Sequence, residues 1–593
     1  PDILQILDIY KIEELLGTQT ILHLRMCRIF TRATIASVSF TLLITAAFAD
    51  YKDTIRHTEL LTQLNLRGIS VPTGTGVSVT QVEAQEATNA YMPNTADSQF
   101  AGKTITDQTG GGANSGHATT VGKNLYGNTT SIAPSITSID VYYANDWINS
   151  GWYTGTPPTE NNPLQNHSWV TWFQDNNAPR RMDYAVNRDG FLPIAGINNS
   201  DWGDQSTASD IPDTYGSMYN GITVGVSDGT HRNGTTSYDG SGRVKPEIVT
   251  PSSFTSFATP YVTAAAAILI ESADSNTAAK NQLTLKAILL AGADKSPFAS
   301  WDQTTTRPID DAYGAGQLDV YENYFIQQAG QQAASSTIDE RGWNLSSVSS
   351  SSSEVYNINV PVGFELRNLS ALVTWNRIVT RSARGPNVSY TPSLANLSLS
   401  LAGAVSQSSD SPIDNIEHIW RDSTSALTSG SYTLTIASTS STATEYAIAW
   451  RSQLYQDYTL WSSTAFTAST PIDQRDATDD PDGDGIQNLH EQAFGGDPEA
   501  NNINILPVSE ILDVSSQSYL QISYRKPDFD NGLSYTVETV TDLNGTWSSQ
   551  SSEVELISIA SESGGFDRYT YRLVDPISAA DKAFLRVEIS ETP

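Results

Sequence analysis

Four short strings lie in one order between residues 76 and 260: Gly76-Val-Ser-Val-Thr-Gln-Val-Glu83, Ser115-Gly-His117-Ala-Thr-Thr-Val-Gly122, Ile194-Ala-Gly-Ile-Asn198-Asn199 and Thr255-Ser256-Phe-Ala-Thr-Pro260. Together they supply a carboxylate, an imidazole, side-chain amides and a hydroxyl, the parts that acyl transfer to a serine requires. In that chemistry Ser256 attacks a carbonyl, His117 takes its proton and Glu83 holds the imidazole in the productive tautomer. Asn198 and the Ser256 backbone N–H then hold the oxyanion. Asn199 is adjacent to Asn198 and equally able to donate. Any chain of 593 residues contains a carboxylate, a histidine and a serine. Order, local context and spacing are what make these four informative.

The elements that must position these groups are legible around them. Val77, Val79 and Val82 lead to Glu83 as a buried strand with an acid at its C-terminal tip, the sheet edge at which open α/β folds bind ligands. His117 follows Gly110-Gly-Gly112 and Ser115-Gly116 and precedes a small, β-branched run, which predicts a loop-to-helix junction. Pro260 suits the first turn of a helix, and Tyr261 to Ile270 is too apolar for a surface. Ser256 is thereby placed where a helix dipole begins and a developing negative charge is stabilised.

In these contexts the chain resembles the subtilisin-like serine proteases, the subtilases. Thr255-Ser256-Phe257-Ala258-Thr259-Pro260 is similar to their Gly-Thr-Ser-x-Ala-x-Pro in all but the first position, where Phe254 stands. Gly116-His117-Ala-Thr-Thr-Val-Gly122 loosely matches their His motif, and Ala195-Gly-Ile-Asn198 echoes their oxyanion strand. Gly242 to Val249 resembles the stretch before their nucleophile, and Gly316-Gln-Leu-Asp-Val-Tyr321 their domain ending. The resemblance spans roughly residues 60–325 and keeps the family's acid–base–nucleophile order. It implies an α/β, subtilisin-like parallel-sheet catalytic domain with helices on both faces and a Glu83–His117–Ser256 triad cutting protein or peptide substrates through an acyl-enzyme. Asn166 and Ser168, in Asn166-His167-Ser168-Trp169, are implied to line the substrate cleft, with His167 a wall residue.

Two departures keep a second reading open. Glu83 stands where the family has Asp, which moves the carboxylate about 1.5 Å further out. Phe254 replaces a glycine near the substrate backbone. The alternative is a catalytically inactive subtilase scaffold acting as a surface or binding protein. A carboxyl-type relative using Glu and Ser would want a low pH optimum, and the His117 context argues against it.

Acidic residues number 65 against 33 basic ones, a net charge of −32. Such a balance argues against nucleic-acid partners, whose phosphates need a basic surface. Residues 25–49 read as a secretory signal: Arg25, Arg28 and Arg32, an apolar run from Ala33 to Leu43, then Ala47-Phe48-Ala49. The protein is therefore expected outside the cell, at its surface or in a periplasm. Residues 1–24 are expected to be a translation artefact or an unassigned leader. Cys27, the sole cysteine, lies inside the signal, so no disulfide is expected. No full-length propeptide, transmembrane helix in the mature chain, zinc site or organic cofactor is expected either.

Residues 50–330 read as the catalytic domain and the serine run at 346–353 as a linker or loop. Residues 340–455 carry period-two strands such as Val355–Val360, Leu372–Trp375 and Tyr446–Trp450, and predict an all-β sandwich. Residues 502–593 alternate likewise and predict a second all-β sandwich. Between them, in the Asp-rich linker 471–500, Asp480-Pro-Asp482-Gly-Asp484-Gly485-Ile486-Gln-Asn488-Leu-His-Glu491 meets the calcium-loop template. Asp480, Asp482, Asp484, the Ile486 carbonyl, Asn488 and Glu491 are the expected ligands of a structural Ca²⁺. The segment resembles the Asp-rich repeats of dockerin or thrombospondin-type linkers.

Overall fold

The computed structural model describes residues 50–170, 175–199, 210–211, 215–236, 239–384, 387–577 and 583–592. The expected signal segment and Cys27 lie outside the described residues. The chain divides into two units, Pro1–Thr54 and Ile55–Pro593. The described part of the first holds a short helix, Tyr51–Thr54.

The second unit begins with α1 (His57–Leu66) and then builds a seven-stranded parallel sheet. Its strands are β1 (Ser78–Glu83), β2 (Thr104–Asp107), β3 (Ser138–Tyr143), β4 (Leu164–His167), β5 (Leu192–Gly196), β6 (Ile222–Val226) and β7 (Ile248–Thr250), in the order β7-β6-β5-β4-β1-β3-β2. The crossovers include α2 (Gly116–Tyr126) and α3 (Asn177–Asp189), and α4 (Thr255–Ser272) follows β7. Strand alternation sends side chains to opposite faces. Gln81 and Asn166, paired in register, reach α2 and α4 respectively. Val82, His167 and Ala195, the next row, face the other way into an apolar cluster with Met182 and Ala185 of α3. Helices therefore cover both faces. At Gly196 an added Cβ would lie 2.7 Å from Thr259 Oγ1, so the glycine is what lets α4 seat directly on β5.

Helices α5 (Gln282–Ala291) and α6 (Val320–Gln328) complete this part. Antiparallel sheets come next, and α5 packs on three of their strands. The first group comprises β8 (Arg341–Val348), β9 (Ser353–Trp375), β10 (Leu397–Ala402), β11 (Ile416–Arg421), β12 (Leu427–Ser438) and β13 (Thr444–Tyr455) around Tyr356, Trp375, Leu399 and Trp450. Two expectations are corrected here. Val355–Val360 and Leu372–Trp375 belong to one 23-residue strand, because Pro361-Val-Gly363 makes a bulge rather than a turn: the register shifts between Val360 and Glu365. The serine run at 346–353 is only half loop: Ser346, Ser347 and Val348 pair with β13 and Ser353 begins β9, and residues 349–352 form the turn between the two strands. A partner strand overrides composition there.

Arg377, just after β9, anchors the β region to the parallel-sheet region. Its side chain, 3 % exposed, donates through Nε to Asp183 Oδ2 at 2.9 Å, pairs with Asp239 and lies over the Tyr219 ring.

The last group pairs β14 (Val508–Val514), β15 (Gln517–Pro527), β17 (Val554–Glu562) and β18 (Phe566–Leu573) in one sheet, and β16 (Leu533–Val540) with β19 (Phe584–Glu591) in another. The two sheets enclose Ile522, Tyr524, Val537 and Leu573. Helix α7 (Asn488–Phe494) seats Phe494 in that core, and Gln492 Nε2 donates to the carbonyls of Gln456 and Asn531.

Candidate active site and candidate cation loop

Glu83 ends β1 with its side chain shut from solvent. Its Oε2 lies 2.9 Å from His117 Nδ1, at the start of α2. A carboxylate only accepts, so Nδ1 carries the proton and Nε2 is left as the base. The longer glutamate side chain reaches the ring because it is held from the side. Gln81 Nε2 donates to Glu83 Oε1 at 2.8 Å, and Tyr126 OH donates to Gln81 Oε1 at 2.6 Å. Gln81 also donates to the Ala118 carbonyl, which ties the acid to the base's own helix. The sequence reading missed Gln81 and Tyr126. The alternation that points Glu83 at the site also points Gln81 to the same side, and that was the available signal.

Burial pulls the His117 imidazolium down, but the hydrogen bond and charge of Glu83, with the charge of Glu86, outweigh it. The ring lies above its ordinary value of 6.5. His167 shows the opposite. It faces Trp147 with no charge to support it, and burial holds it down to about 3.

Ser256 is the second residue of α4. Phe254, the N-cap, offers no side-chain cap, and Asn199 Oδ1 accepts from Thr255 N at 2.9 Å instead. The Ser256 N–H has no acceptor among the described residues, so a first-turn amide is left to face a ligand. Ser168 Oγ donates to the Ser256 carbonyl at 2.8 Å. Asn166 lies one step behind, fully buried, with Nδ2 donating to Ser168 Oγ and Oδ1 accepting from Thr263 of α4.

His117, Ser168, Asn198, Asn199 and Ser256 all line one cleft of about 700 Å³. Asn198 is nearly buried and Asn199 is tied to α4. No direct hydrogen bond joins Ser256 Oγ to His117 among the described residues. Such contacts are commonly long without substrate and tighten when it binds. The cleft gathers an imidazole with its Nδ1 held by a carboxylate, a hydroxyl at a helix N-terminus and backbone and amide donors, which are the kinds of group that acyl transfer to a serine uses.

A second cluster lies in the Asp-rich linker. Asp480, Asp482 and Asp484 bring ligand oxygens within 4.8 Å of one another. Gly485 takes φ of +94° at the sharp turn, and its N–H donates to Asp480 Oδ2. Ile486 buries its side chain in the C-terminal core, which fixes the loop. Both oxygens of Glu491, 1 % exposed, and Oδ1 of Asn488 are shut from water without a hydrogen bond among the described residues. Asn488 Nδ2 donates to the carbonyls of Gln474 and Asp476. Burial, then the charges of Asp482 and Asp484, push the Glu491 carboxyl up to about 7. Orphaned buried oxygens beside three clustered carboxylates fit a hard divalent cation, which takes six to eight oxygen ligands.

No family model matches the chain, and no curated protein matches it. Among solved structures it is similar to the prenylagaramide maturation protease PagA at 17% identity, covering 45% of this chain and 97% of that one, with a TM-score of 0.32. For the patellamide maturation protease PatA the figures are 17%, 43%, 98% and 0.30. For the CspB protease of Clostridium perfringens they are 13%, 44%, 94% and 0.30. These scores lie below 0.5 and the identities below 25%, so what the site can do is carried by the chain's own side chains.

Proposed function

We propose that the chain is a secreted serine endopeptidase that cuts peptide bonds through a Ser256 acyl-enzyme. The contact that carries this is the buried Glu83 carboxylate 2.9 Å from His117 Nδ1, in a cleft shared with Ser256 at a helix N-terminus. His117 takes the Ser256 proton, Ser256 Oγ attacks the carbonyl, and the Ser256 N–H with Asn198 or Asn199 receives the oxyanion. His117 then returns the proton to the leaving amine, and water repeats the sequence to release the acid. Secretion rests on the Arg-led apolar leader ending at Ala49. No helix among the described residues is long and apolar enough to cross a membrane.

Fluorophosphonate labelling at neutral pH with calcium, followed by peptide mapping, tests the assignment. The expected adduct is on Ser256 and disappears in His117→Ala. Phe254, 41 % exposed beside the nucleophile, favours a second reading, an inactive scaffold that binds rather than cuts. A folded protein that takes no label would establish it.

Asp480, Asp482, Asp484 and Glu491, with the Ile486 carbonyl and Asn488, would hold Ca²⁺ as a structural ion. At free calcium a hundredfold above Kd, its removal is expected to cost about 2.7 kcal/mol of stability. Chelation should therefore lower the Tm of the wild type and leave Glu491→Gln little changed, read by calorimetry with and without EDTA. Equal Tm values with and without calcium in the wild type would dismiss the ion.

A further inference from the structure

The cleft beside Ser256 has one fixed charge that takes no direct part in acyl transfer, although it adds to the field that raises His117. Glu83 is sealed beneath the surface and occupied by Gln81 and His117. Among the described residues lining the cleft, Glu86 is then the only carboxylate and no Lys or Arg is present. Glu86 stands three residues beyond β1, exposed, and its Oε2 accepts from Ser115 Oγ at 2.7 Å. Burial works against its charge, but that bond and the N–H groups of His117 and Gly116 outweigh it and hold the carboxyl below its usual range. Among the described residues no cation lies within ion-pair distance of it.

Glu86 shares the capping of α2 with Ser115: the first-turn N–H groups of Gly116 and His117 face its carboxylate, and the Ser115 hydroxyl accepts from Ala118 N at 3.0 Å. The carboxylate stays exposed at the cleft. In the same cleft the Phe257 ring lies 5.6 Å from the His117 imidazole, and exposed Phe254 meets Phe257 edge-on at 5.9 Å. The cleft around His117 thus holds both a carboxylate and an aromatic wall. A long aliphatic stem with a cationic tip satisfies both, the stem on the ring and the charge at the carboxylate.

Resting on the endopeptidase reading, we propose that Glu86 is a specificity-determining residue, selecting peptides with Lys or Arg at the substrate position that lies between Glu86 and Phe257. A cleft that offered only apolar walls would have no reason to separate lysine from a neutral side chain of similar length.

The test compares kcat/KM on quenched peptides identical except for Lys, Arg, Gln or Glu at each position flanking the scissile bond. One position is expected at which Lys and Arg exceed Gln about 10- to 100-fold, with Glu poorer still. That ratio should fall to near unity in Glu86→Gln and invert toward Glu in Glu86→Lys. Because the readout is a ratio between paired substrates, a general loss of fold or activity cancels. Wild-type enzyme that labels on Ser256 but cleaves Lys and Gln peptides equally at every position would overturn the proposal and leave the endopeptidase standing. A preference retained in Glu86→Gln would overturn it as well. Failure of Ser256 to label would instead defeat the endopeptidase reading.

Discussion

Glu83→Gln is expected to lower kcat/KM about 10⁴-fold while leaving the protein folded. The glutamine amide donates where the carboxylate accepted. His117 Nδ1 would then turn acceptor and move its proton to Nε2, the nitrogen that must take the Ser256 proton. The same change alters the pH profile. In the wild type the active ring is neutral and its protonated form is favoured by Glu83, so activity should rise with pH through a midpoint above 6.5. Loss of the Glu83 hydrogen bond and charge leaves burial, which favours the neutral ring, less opposed. The residual acid limb should therefore move to lower pH. Peptide kinetics from pH 5 to 9, with circular dichroism to confirm folding, measure both. A variant retaining a tenth of wild-type activity would mean that the 2.9 Å contact does not orient the base.

The largest expected effect on stability belongs to Arg377→Ala. The guanidinium is 3 % exposed between Asp183, which is fully buried, and Asp239. Removing it leaves Asp183 buried without its cation, while Asp239 keeps Arg180, a change that typically costs about 3–5 kcal/mol. Both the parallel-sheet region and the first β group depend on this residue, so the loss should appear in denaturant unfolding as a lower midpoint or as separation into two transitions. Asp183→Asn should recover part of the loss in the double variant by removing the stranded charge. A midpoint unchanged in Arg377→Ala would show that water replaces the guanidinium at that junction.

How much could be read from the sequence depended on the range of the interactions involved. The tip of β1 was legible because Val79 and Val82 lead directly to Glu83, and the region of α4 because the apolar run from Tyr261 is a local signal, although Pro260, expected in the first turn, is the sixth residue of the helix. The calcium template is likewise a twelve-residue pattern. Gln81 and Tyr126 escaped because their significance depends on α2 folding across β1, a contact 45 residues apart in the chain. Asn166, expected in the cleft wall, sits behind it because strand register with Gln81 and Ile194 sends it toward α4. The division of β9 failed because Pro361 and Gly363 read as punctuation, whereas β12 and β13 continue the pairing on either side of the bulge. Arg377 gave no signal, since an arginine after a strand is ordinarily solvated.

The ion pair between Arg67, just after α1, and Asp567 in β18 joins residues 500 apart, with Arg67 Nη2 to Asp567 Oδ2 at 2.6 Å. A chain made from its N-terminus at about 5–20 residues per second keeps these partners apart for roughly half a minute to two minutes. Over that interval the segment leading into β1 is without its far anchor, while the Glu83, His117 and Ser256 elements are already available to fold. Synthesis therefore sets a timetable in which the cleft precedes the clasp. Late release of the C-terminal strands from the ribosome is the event that closes the polypeptide on itself.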